Sequence, residues 1–190
     1  MTDTNVSDYF VKGEAKAHEL PNRGPLRFTD DGQPHPDILA AYWRYGFYVL
    51  EGVVNTAEIN RLVTDFERVM ERSPVREGAE LDSHGRASID QGFERATFQF
   101  AKPLSDPMGA TEASGGRYPI RMTEFEAPPE APEQVVLQIS GSLQMMDANL
   151  NLYGHPGLLR VAEAINGPDF VPFTDAIWVK PAHYGAAVSW

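Results

Sequence analysis

The chain has 190 residues, 42% of them hydrophobic and 11% aromatic, a composition that supports a folded core and excludes wholesale disorder. Its net charge of −11 argues against a nucleic-acid or anionic-membrane partner, because such surfaces need clustered Lys and Arg. There is no cysteine, which excludes disulfides, thiolate metal sites and a cysteine nucleophile, so any metal would need His and carboxylate ligands.

The length suits one ordinary domain or two small ones. No apolar run approaches the roughly 18–20 residues of a membrane span. The start, residues 1–8, is acidic and polar, unlike a signal peptide. A cytoplasmic protein is the resulting expectation.

Residues 1–34 are polar and lack periodicity, with Pro21, Gly24, Pro25 and Gly32 interrupting any regular element. They read as an arm draped on the surface or as a partly disordered segment. A first helix follows, with Pro36 at its first position, Asp37 in its first turn and Gly46 as its C-terminal cap. Ile38, Leu39, Tyr42 and Trp43 or Tyr45 form its apolar face. Residues 47–50 are a short β-prone run. The next helix is the cleanest in the sequence: Asn55 and Glu58 have capping-box spacing, and Ile59, Leu62, Val63, Phe66, Val69 and Met70 recur at helical intervals. Ser73 and Pro74 end it.

From 74 to 132 the chain is polar and broken by glycine and proline. Short apolar pieces such as residues 96–100 and 118–122 read as strands or lid segments, and irregular stretches of this length tend to be functional or mobile. Beyond it, Val135, Val136, Ile139, Leu143 and Met146 fit a helical face weakened by Gly141. A further helix opens at Pro156, buries Leu158, Leu159, Ala162 and Ile165, and stops at Gly167 and Pro168. No internal repeat is present.

Sequence motifs exclude several chemistries. There is no P-loop, no dinucleotide-binding glycine motif after a strand, and no Gly-x-Ser-x-Gly elbow. Ser140-Gly141-Ser142 lies in the helical pattern and reads as a weak point rather than a nucleophile. His35 and His155 each precede a proline at a helix start, where a cap or turn role outweighs ligation. Asp82 and His84 make one close pair, but a metal needs three or four ligands in fixed geometry.

The strand 174–180 carries more. Alternation puts Thr174, Ala176, Trp178 and Lys180 on one face and Asp175, Ile177 and Val179 on the other. A lysine and a tryptophan on one face suit a small carboxylate; a surface lysine beside a packed tryptophan is the plainer reading. After a turn, a second strand opens at Ala187 with only four residues left to Trp190, against a usual 5–6. The pattern admits either a short edge strand or a longer protein cut at this point.

Three segments in order resemble the phytanoyl-CoA dioxygenase family of Fe(II)- and 2-oxoglutarate-dependent oxygenases. Residues 38–54, with Gly46-Phe47-Tyr48-Val49, are similar to the family's opening helix and strand. Residues 155–169 resemble its later helix and Gly-Pro turn. Residues 177–190 resemble the strand, Lys-Pro turn and tryptophan that lead into its metal motif.

The resemblance implies an α+β chain: N-terminal helices and the first strands of a double-stranded β-helix (jelly-roll, cupin-like) core. Its domains would be an arm over 1–34 and one oxygenase domain from 35 to 190. It also implies iron held by a His-x-Asp pair and a distant second His, with 2-oxoglutarate beside Thr174, Ala176, Trp178 and Lys180. The His-x-Asp would follow Trp190, so the chain is expected to be a truncated fragment, inactive and without bound iron or 2-oxoglutarate on its own. The intact enzyme would hydroxylate a small organic substrate. Region 74–132 would face that substrate, with Arg95, Arg117 and Arg121 available to an acidic one. The expected partners are a complementary C-terminal half or a second copy joined through open strand edges. A non-catalytic helical binding module, or half of a split enzyme, is the alternative.

Overall fold

A computed structural model describes residues 3–109 and 121–187. The chain is α+β, with helices and two small sheets, and divides into two compact units.

The first unit holds residues 1–56 and 154–171. It opens with a helix, α1 (Asp3–Glu19), where the sequence suggests an irregular arm. The reason lies in its polarity. Residues 11–19 are all exposed, so this part of the helix shows no buried apolar stripe, and its support is local. Lys12 pairs with Asp8 at 3.5 Å and His18 with Glu14 at 4.0 Å, one turn apart in each case.

Strand β1 (Arg23–Pro25) then pairs in parallel with β2 (Val49–Glu51), Gly24 opposite Leu50. Gly24 is required there. Its φ is +147°, and a Cβ would come within 3.1 Å of the Tyr48 hydroxyl. Buried Asn22 fixes the approach, its backbone carbonyl accepting from Val49 N–H at 2.9 Å.

Helix α2 (Pro36–Tyr45) starts and stops where the sequence indicates. Gly46 is left-handed at φ 81°, and its N–H donates to Tyr42 O at 2.7 Å. Ile38 and Ala41 are buried. Helix α6 (Pro156–Asn166) starts and stops at its signals: the His155 side chain accepts from Leu158 N–H at 3.3 Å, and Gly167 N–H caps Glu163 O at 2.8 Å. Along it Leu158, Leu159, Ala162 and Ile165, expected to be buried, are only half-buried. Its Arg160 donates to Gly32 O at 2.9 Å.

The second unit holds residues 57–153 and 172–190. Helix α3 (Thr56–Glu71) runs where expected, but its apolar stripe is covered unevenly. Val69 is fully buried, whereas Ile59 and Val63 remain 47% and 49% exposed. Strand β3 (Phe98–Ala101) lies antiparallel to β4 (Val135–Ser140), which in turn pairs antiparallel with β5 (Ala176–Trp178). The β3–β4 register slips between Gln99 and Phe100: Gln99 opposes Gln138 and Phe100 opposes Val136. Leu137 is thus skipped, a β-bulge.

Strand β4 corrects the sequence reading of residues 135–140 as part of a helix. Apolar residues at 135, 136 and 139 fit a helical face, yet Val135, Val136, Leu137 and Ile139 are all buried. A short β-branched run buried on both sides carries no alternation to reveal it. Gly141, at φ 71°, then turns the chain into the short helix α4 (Ser142–Met145), followed by α5 (Asp147–Tyr153).

The main core joins Val69, Phe98, Val136, Ile139, Met145, Met146 and Val179. Arg68 ties α3 to it by donating to Met145 O at 2.6 Å, and Asp65 accepts from Ala148 N–H at 2.9 Å. Of the two strand-like pieces in 74–132, residues 96–100 contribute β3. Of the other, residues 118–120 lie outside the described residues, and Arg121 and Met122 are in no strand. Of the strand suggested from Ala187, residues 188–190 also lie outside them. Ala187 itself is not in a strand; its N–H donates to Ser105 O at 2.7 Å. No described helix is long and apolar enough to cross a membrane.

Candidate functional site

The stretch 174–180 keeps its period of two. Thr174, Ala176, Trp178 and Lys180 are exposed, Asp175 and Ile177 are half-buried, and Val179 is buried. Only residues 176–178 form ladder pairs, so Thr174 and Lys180 flank the strand. Two devices hold this register. Val179 N–H donates to Leu137 O at 2.9 Å. On the inward side, the Asp175 carboxylate accepts from the fully buried Ser142 hydroxyl at 2.7 Å and from Leu143 N–H at 3.2 Å. Ser142 also accepts from Asn149. It is therefore a structural tether, in keeping with the absence of a nucleophile motif.

The exposed face extends across the sheet. Trp178 opposes Gln138, which opposes Gln99, and Ala176 opposes Ser140. Lys180 makes no ion pair among the described residues. Its stem lies over Gly185, where a Cβ would stand 2.6 Å from Lys180 Cγ, and Gly185 N–H donates to Pro181 O at 3.0 Å. The face thus offers an indole, two primary amides and one available ammonium group, a set able to hold a carboxylate.

At the end of this face, beyond the Ser140–Ala176 pair, lies a cavity of about 750 Å³. Residues 92–97 form one wall, and Ser140, Gly141 and Gln144 form the other. Ser140 N–H donates to Thr97 O at 2.7 Å, which joins the two walls. Arg95 lines the cavity. Arg121 instead pairs with Glu124 at 2.8 Å, and Arg117 lies outside the described residues. Sequence reasoning overlooked Gln138 and Gln144 and set Ser140 aside, because it placed them on a helix. Their signal was a lone glutamine within an otherwise apolar run.

The histidine–carboxylate pairs are tied to arginines. His35 Nδ1 meets Asp37 Oδ1 at 2.6 Å, while Asp37 Oδ2 accepts from Arg27. The Arg27 hydrogen bond, against some burial, holds the Asp37 carboxyl below its ordinary range. Asp82, 3% exposed, accepts from His84 N–H and Arg86 N–H at 2.9 Å, Arg86 Nε at 2.8 Å and Arg72 Nε at 3.1 Å. It is the hub of an Asx turn closed by the Leu81–Ala87 bridge. Among the described residues no three His, Asp or Glu side chains are placed to hold a metal. The described residues thus supply no ligand set for the iron, whose ligands the resemblance sets after Trp190.

Burial pushes the Asp82 carboxyl up, but hydrogen bonds from the Arg86 backbone and guanidinium and from His84 N–H outweigh it and lower it to about 2. A depressed folded value gives stability that is full above the unfolded value near ~4 and lost as pH falls toward 2. Asp82→Asn is accordingly expected to lower Tm by about 5 °C at pH 7 and to shrink that gap below pH 4, read by thermal melts across pH.

No family model, curated protein or solved structure matches this chain.

Proposed function

We propose that the chain forms part of an Fe(II)- and 2-oxoglutarate-dependent oxygenase that hydroxylates a small organic substrate. Its jelly-roll core would begin with the β3–β4–β5 sheet, and the iron ligands would come from outside residues 1–190. The reading is supported above all by the exposed row Thr174, Ala176, Trp178 and Lys180, which the resemblance sets beside 2-oxoglutarate and which carries an ammonium group with no ion-pair partner among the described residues. In this reading Lys180 binds a carboxylate of 2-oxoglutarate and Trp178 walls its carbon chain. When bound, 2-oxoglutarate would supply the electrons for oxygen activation.

Without iron, binding is expected only at high concentration. At about 10 mM 2-oxoglutarate, the amide resonances of residues 176–180 are expected to shift, and Lys180→Ala to weaken this about fivefold. Absence of any shift, or one indifferent to Lys180, overturns the proposed cosubstrate face. Extending the chain with the codons that follow Trp190 in its gene tests the reaction class. Iron-dependent succinate release supports an oxygenase; an extension without His-x-Asp and without succinate overturns it.

The reading in which a second chain completes the fold draws on a separate observation. Val171 is 84% exposed and Phe173 96%. Sedimentation at rising concentration distinguishes self-association from the need for a different partner.

A further inference from the structure

Glu94 and Arg95 stand side by side in the wall of the 750 Å³ cavity, yet they pair neither with each other nor with any other described residue. Their backbone is held from both sides. Phe93 packs against the main core, and its N–H donates to Asp90 O at 3.1 Å. On the other side Thr97 is buried, and its hydroxyl donates to Asp90 Oδ2 at 3.0 Å. The short exposed span 94–96 is therefore fixed at both ends.

The facing groups are polar and partly uncommitted. Ser140 Oγ accepts from Gln138 Nε2 at 3.1 Å, leaving its proton to donate, and the Gln144 side-chain amide has no partner among the described residues. Among the described residues, the cavity thus presents a cation and an anion without ion-pair partners on one wall, and donors and acceptors on the other. Its volume lies within the range of small-molecule sites.

We infer that this cavity binds a zwitterionic small molecule of the α-amino-acid class, with its carboxylate on Arg95 and its ammonium on Glu94. This deepens the oxygenase reading by naming the substrate class, and it rests on that reading only for the word substrate; the binding stands by itself. A simple acid would leave Glu94 opposed to it, and a simple amine would leave Arg95 so. Only a ligand with both charges uses the pair.

The test is a titration of the full chain, followed by amide NMR shifts, with three probes: L-leucine, its cationic amide leucinamide and its anionic derivative N-acetylleucine. Leucine is expected to shift the resonances of residues 94–97, 140 and 144, and to bind about fivefold more tightly than either relative. Arg95→Gln is expected to weaken leucine and N-acetylleucine but not leucinamide; Glu94→Gln is expected to weaken leucine and leucinamide but not N-acetylleucine. Both positions are exposed, and an unchanged spectrum elsewhere shows the variants folded. Equal binding of all three probes, no binding by about 50 mM, or indifference to both substitutions overturns the inference. Leucine binding in a protein whose residues 176–180 ignore 2-oxoglutarate upholds the amino-acid site and removes the oxygenase reading.

Discussion

Replacing Ile139 with alanine is expected to destabilise the second unit by about 3–4 kcal/mol, the middle of the range for truncating a buried aliphatic side chain to alanine. Ile139 is 0% exposed and sits at the centre of the three-stranded sheet, opposite Phe98 on one side and Ile177 on the other. All three belong to or pack on the cluster that includes Val69 and Met145. Neighbours held by two ladders cannot collapse into the space, so the cavity term adds to the lost transfer energy. Urea unfolding followed by circular dichroism reads the change, and Ile139→Val, which keeps the β-branch, is expected to cost about 1 kcal/mol. An alanine variant within 1 kcal/mol of the parent would contradict this packing.

The same residue marks where sequence reading reaches its limit. Helices α2, α3 and α6 are legible because start, stripe and stop agree: Pro36, Ile38 and Gly46 in one, His155, Leu158 and Gly167 in another. Residues 11–19 of helix α1 are all exposed, and β4 has apolar residues on both faces, so periodicity is weak for the first and ambiguous for the second. Tertiary burial decides β4, and burial is not written in a six-residue window.

The candidate site divides in the same way. The row Thr174, Ala176, Trp178 and Lys180 is readable because a half-buried strand alternates, and its inward partners Asp175 and Val179 are the residues the structure anchors. The cavity beside it is not readable. It needs a loop, residues 92–97, brought against the end of β4 some forty residues later. Arg95 stands out by its charge alone; that it faces Ser140 and Gln144 follows from strand pairing. Likewise Asp82 and His84 are in sequence a lone pair too small for a metal site, and only the approach of Arg72 and Arg86 reveals a turn hub.

Asp106 is the second residue whose loss is expected to cost most, about 2–4 kcal/mol on replacement by alanine. It is 1% exposed. Its carboxylate accepts from Gly109 N–H at 2.9 Å and from Met122 N–H at 2.6 Å, joining two points thirteen residues apart. Its own N–H donates to Glu124 Oε1 at 3.2 Å, and Arg121 holds that same oxygen at 2.8 Å. Gly109 fits this arrangement because it lacks a Cβ, which would stand 1.9 Å from Asp106 Oδ2. Alanine at 106 leaves two backbone donors without their acceptor, and of these the buried Gly109 N–H carries the larger penalty, because an unmet buried donor costs more than a made bond contributes. Asparagine keeps one acceptor oxygen and is expected to lose about half as much. Hydrogen exchange separates this from a general loss of stability. In Asp106→Ala the amides of Gly109 and Met122 are expected to lose protection well before those of β4, because only they donate to the missing carboxylate. Uniform loss across both sets would mean that Asp106 supports the whole unit instead of clamping these two backbone points together.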